Sequence, residues 1–134
     1  MTVFIVSGTP PCVEAWRETY HAHDCGMDID VSDYVACDPS DEMGFLPGSD
    51  PRVFPAMVKR NPAIVEGVTA LVSTVKNHAL AEGSTFAVSV QDDEGTVVAP
   101  AIAGVIAGYL NHCGIDVELT HLSLEVGVAS SLNL

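Results

Sequence analysis

Positive charge is what this sequence has least of. Its 134 residues hold five Lys and Arg against 18 Asp and Glu, a formal net charge of -13. Phosphate contacts are made mainly by Lys and Arg, so this shortage argues against a nucleic-acid binder and against attraction to an anionic membrane surface. No apolar run approaches the ~18 residues of a membrane-crossing helix, and the start, Met1 to Val6, lacks the basic segment of a secretory leader. Four cysteines (Cys12, Cys25, Cys37, Cys113) make no disulfide framework and form no Cys-x-x-Cys pair, so they are expected to be reduced, in a cytoplasm. No Gly-x-x-x-x-Gly-Lys-Ser/Thr phosphate loop occurs. What is present is apolar: 48% of residues, which excludes a disordered chain and suits one ordinary domain over 1–134.

The acids are unevenly placed. Residues 1–51 carry ten of them against Arg17 alone, and residues 52–134 carry eight against Arg52, Lys59, Arg60 and Lys76. This is either a solvated surface that keeps the chain soluble or a face for a basic partner.

Val3–Val6 is a short β-branched and aromatic run, as in a strand buried on both faces. Ser7 to Pro11 ends it. Val13–His23 has helical spacing and is broken by Cys25-Gly26-Met27-Asp28. Tyr34–Cys37 reads as a second buried strand, and residues 38–51 as a long loop of the kind that often carries function. Ile64, Val68, Leu71, Val72, Val75 and Ala79 define an amphipathic helix that starts near Asn61-Pro62 and ends near Glu82-Gly83. Phe86–Val90 is a third strand. Gln91 to Thr96 forms a turn, and Val98–Leu110 a second periodic helix with Pro100 in its first turn. Val117, Leu119 and His121 alternate with Asp116, Glu118 and Thr120, which predicts a half-exposed edge strand. This order predicts an α/β fold, a small three-layer sandwich with a mostly parallel sheet of four to five strands.

Asp50 to Pro55, the long helix, Glu82 to Val90, the helix ending Tyr109-Leu110, and Gly114 to Leu122 together resemble the C-terminal domain of the RNase adapter protein RapZ family. Gly26 to Asp38 resembles that family's strand ending in Asp-x-Arg. The resemblance implies an α/β domain that binds an amino-sugar phosphate and a small RNA and that self-associates. It also marks a loss. The family's Cys-Thr-Gly-Gly-x-His-Arg-Ser loop stands here as Asp92-Asp93-Glu94-Gly95-Thr96-Val97-Val98-Ala99, in which only Gly95 survives. Ser40 and Leu122 stand where the family has arginines, while Asp38 and His121 remain. A loop that follows a parallel strand and opens a helix is a ready anion site. Three carboxylates there oppose a phosphate, each by about 1 kcal/mol at ~4 Å in water.

The candidate ligand- or partner-binding residues are therefore Ser7, Asp38, Asp92, Asp93, Glu94, Gly95, Thr96 and His121. The acidic turn and Asp38 offer oxygen ligands to Mg²⁺ or Ca²⁺, or else form a solvated helix start. His21, His23 and Cys25 are weaker metal candidates, at a spacing that matches no zinc motif. Cys12 is either a nucleophile beside a histidine or a small structural residue.

Two functions are open at this point. One is a non-enzymatic interaction module with no cofactor, its ligand loop rebuilt as an acidic surface, from a phage or an actinobacterium. The other is a small-molecule binder for an amino-sugar phosphate or nucleotide at the strand ends, with a divalent cation. A homodimer is expected in either case, through the edge strand and Leu119, Leu122, Leu124, Val126 and Val128. The role of residues 123–134 is left open.

Overall fold

The protein is described here by a computed structural model, over residues 2–20, 26–32, 48–82, 85–93 and 95–124. The strands are β1 (Thr2–Gly8), β2 (Gly26–Asp30), β3 (Phe86–Gln91) and β4 (Asp116–His121). The helices are α1 (Pro10–Tyr20), α2 (Val53–Arg60), α3 (Ile64–Glu82) and α4 (Val98–His112). The four strands form one all-parallel sheet in the order β2-β3-β1-β4. Helices flank it, as in a small three-layer α/β sandwich.

Strand alternation decides which helix goes where. Val3 and Ile5 of β1, with Phe86, Val88 and Val90 of β3, join the main core with α2, α3 and α4. Val6 and Ala87 point the other way and are buried with Val13 of α1 outside that core. Pro10 and Pro11 open α1, where the missing N–H groups cost nothing.

Two segments differ from the sequence reading. Gly26 to Asp30, expected partly as a breaker, is strand β2. Its Asp28 and Asp30 stay exposed while Ile29 is buried, the pattern of an edge strand with one wet face. Residues 53–60, with no assignment from the sequence, form α2, which buries Val53 and Met57. The strand expected at Tyr34–Cys37 lies outside the described residues. The fourth strand is at the edge, as expected.

Topology also fixes where a site belongs. The crossover from β1 to β2 runs over β3, and the crossover from β3 to β4 runs back over β1. Right-handed connections then put α1 and α4 on opposite faces. The carboxyl ends of β1 and β3 are the switch point of the sheet, where open α/β sheets bind ligands.

Candidate functional site at the strand ends

Asp92 follows β3 at this switch point, and its N–H donates to the Gly8 carbonyl at 3.4 Å. Its side chain is only 4% exposed. One carboxylate oxygen accepts from the Gly95 N–H and the other from the Ala99 N–H at 3.2 Å. Ala99 is the second residue of α4, so its N–H is one of the free donors at the helix start. The helix dipole favours a negative charge there. These are the donors that a bound phosphate would take. The Asp92 carboxylate occupies these donors from within the chain.

At Asp92 this departs from the expected acidic surface at 92–94. Asp92 turns inward because the amides of Gly95 and Ala99 need an acceptor, which the side chain at residue 97 does not supply. Asp93 is exposed, and Glu94 lies outside the described residues. Gly95 has φ of +70°, and a Cβ there would stand 2.9 Å from the Thr9 N. Only glycine lets this loop close on the end of β1. Thr96 enters through its backbone, as its carbonyl accepts from the Gly48 N–H at 2.8 Å.

Ser7 and His121, two of the sequence candidates, are brought together. They are register partners on β1 and β4, and Ser7 Oγ lies 2.7 Å from His121 Nδ1. Ser7 is fully buried, so its hydroxyl ties two strands and presents nothing to a substrate. Ser123, which the sequence left without a role, accepts from the Thr9 N–H at 3.3 Å. Its hydroxyl also donates to Cys12 Sγ at 3.8 Å. The bond given to Cys12 is therefore to a serine, with no histidine in it. No signal in the sequence marks Ser123.

On the α1 face, Arg17 forms an ion pair with Asp28. Asp28 Oδ1 also accepts from Ser89 Oγ at 2.7 Å, and Ser89 Oγ accepts from Gln91 Nε2 at 2.7 Å. Beside this network is a cleft of about 300 Å³ lined by Glu14, Asp28, Asp30 and Asp93 together with Arg17. The hydroxyl and N–H of Ser32 hold the Asp30 carboxyl below its ordinary value.

Asp38, His21, His23 and Cys25 lie outside the described residues. Among the described residues no cluster of three or more His, Cys, Asp or Glu is placed to hold a metal ion. Nor does any buried side-chain nitrogen or oxygen there lack a partner. No described helix is long and apolar enough to cross a membrane. No protein family matches the chain, and no curated protein matches its sequence.

Proposed function

We propose that this chain is a non-enzymatic interaction module, a cytoplasmic domain of the RapZ C-terminal type whose phosphate site has been closed from within. The observation that carries this reading is the Asp92 carboxylate on the amides of Gly95 and Ala99. A phosphate entering there would have to displace an anion that is covalently present at very high effective concentration. It would also find no arginine in the loop to help it. The satisfied state of Ser7, His121 and Ser123 supports a structural use of the strand ends.

The test is a thermal-melting panel on the whole chain. A ligand that binds only the folded form raises its stability by RT ln(1 + [L]/Kd). Inorganic phosphate, an amino-sugar phosphate, a nucleotide and Mg²⁺ are each expected to leave Tm unchanged. Structured RNA at low salt is expected to stay at background in filter binding. A protein partner, in contrast, is expected in a cross-linked pull-down from the native host. A saturable rise in Tm with any of the four small ligands would replace this reading with that of a strand-end binding protein.

A further inference from the structure

The strand ends are also covered from outside, by the residues that follow β4. The ladder between β1 and β4 ends with the pair Ser7 and His121, tied at 2.7 Å. Residues 122–124 leave it and turn across the end of β1. Leu122 Cβ lies 3.4 Å from where a Cβ on Gly8 would stand. The Ser123 hydroxyl accepts from the Thr9 N–H at 3.3 Å and donates to Cys12 Sγ at 3.8 Å. It also stands 2.5 Å from where a Cβ on Gly95 would be, so it fills the space that this glycine leaves. One side chain thus touches the loop after β1, the first turn of α1 and the loop after β3. Those three segments meet at the switch point of the sheet, the place where open α/β sheets bind ligands.

The two sides of this crossing are held unequally. Up to His121 the chain is fixed by the ladder and by the short bond to Ser7. Beyond it, Leu122, Ser123 and Leu124 are only half-buried. Of the two Ser123 bonds, the one from the Thr9 N–H exceeds the usual N–H···O length, and the other goes to sulfur, a weak acceptor.

We propose that residues 122–124 form a strap over the carboxyl ends of β1 and β3, which opens at His121–Leu122 while the sheet stays intact. Opening breaks the two Ser123 bonds and no ladder bond. It uncovers the Thr9 N–H, the Cys12 thiol and the open face of Gly95. The proposal rests on the reading above, that the strand ends are closed, and adds a closure that can be undone. The Asp92 carboxylate is a fixed plug, because it is buried within the loop and helix start that it caps. Ser123 is the removable one. The same carboxylate selects what can enter once the strap is aside. The Asp92 N–H is bonded to the Gly8 carbonyl, so the negative charge stays beside the uncovered seat. An entering group must bring an acceptor for the Thr9 N–H without bringing a second negative charge. A backbone carbonyl of a protein partner meets both conditions.

The experiment is native-state amide exchange on the full chain, read by NMR, with alkylation of Cys12 by iodoacetamide followed by peptide mass. Two weak bonds protect the Thr9 amide by roughly 5- to 30-fold over an unstructured chain. The Ile5 amide, inside the ladder, is protected by roughly 10³-fold or more, since it exchanges through global opening. Thr9 exchange is therefore expected to be far faster than that of Ile5 and flat in low urea, while Ile5 exchange climbs with urea. Alkylation of Cys12 is expected to be slower than that of the exposed Cys113. Ser123→Ala is expected to bring Thr9 close to the unstructured rate and to speed Cys12 by the same factor, with Thr9 still separated from Ile5.

Thr9 exchange at the Ile5 rate, with the same urea dependence, would overturn the proposal, because the cover would then be a permanent wall. So would unprotected Thr9 and Cys12 in the unaltered chain, or rates that Ser123→Ala leaves unchanged. The exchange measurement needs no substitution, so it decides even where Ser123→Ala fails to fold. The phosphate arm of the ligand panel reads the Asp92 plug and the exchange reads the strap, so the two readings fail separately.

Discussion

Ser7 and His121 stand 114 residues apart in the chain and 2.7 Å apart in the fold. Their bond joins β1, inside the sheet, to β4 at its edge. Ser7→Ala removes one partner of a buried pair and is expected to cost about 1 kcal/mol in urea unfolding. Because the Ser7 side chain is fully buried, a fluorophosphonate probe is expected to leave it unlabelled in the native protein. Stoichiometric labelling at Ser7 would show a reachable nucleophile and refute the structural role.

Gly95→Ala tests the loop that carries the closed site. It forces a side chain into a backbone with φ of +70° and sets its Cβ 2.9 Å from the Thr9 N. A loss of roughly 1 to 3 kcal/mol is expected, read as a lower Tm. An unchanged melt would mean that the loop after β3 is not held against β1.

The Arg17–Asp28 pair on the α1 face is about half open to solvent, with side-chain exposures of 21% and 55%. Arg17→Met keeps much of the packing and removes the charge. The expected loss is about 0.5 to 1 kcal/mol, shrinking as salt is raised. A loss that does not respond to salt would assign Arg17 to packing.

Asp50 gives the pH test. Its carboxylate accepts from Arg52 Nε at 3.0 Å and from Arg52 Nη2 at 2.9 Å, which lowers its pKa from 3.8 to about 2. A carboxyl with a lowered folded-state pKa contributes its stability above the unfolded value and loses it as pH falls through the folded value. The Asp50 contribution is therefore whole above the ordinary carboxylate range and fades between pH 3.8 and about 2. An NMR titration of the Asp50 carboxyl is expected to show this low midpoint, and Arg52→Ala to return it toward 3.8. A normal midpoint in the unaltered chain would show that the pair does not form in solution.

Much of the fold is legible in the sequence, for reasons that particular residues make plain. Ile64 to Ala79 and Val98 to Leu110 carry apolar residues at helical spacing, and α3 and α4 lie there. Strand β2 is harder to read, because Asp28 and Asp30 occupy its wet face and only Ile29 is deeply buried. Helix α2 is short and has Pro55 within its first turn, so no long period announces it. Ser7, Asp92, Gly95 and His121 are all recognisable as strand-end residues. Their use is not. Whether an aspartate in an Asp-Asp-Glu run faces water or caps a helix depends on where α4 starts relative to β1, and only the tertiary fold supplies that.

The most direct test of the central claim is the melting temperature of Asp92→Ala with and without inorganic phosphate. The substitution leaves the Gly95 and Ala99 N–H groups without their acceptor, at an expected cost of roughly 2 to 3 kcal/mol. It also vacates an anion site at a helix start, so millimolar phosphate is expected to restore part of the lost Tm while leaving the unaltered chain flat. If phosphate stabilises the unaltered chain, the site is open and the account is wrong. It is equally wrong if Asp92→Ala melts like the parent and ignores phosphate.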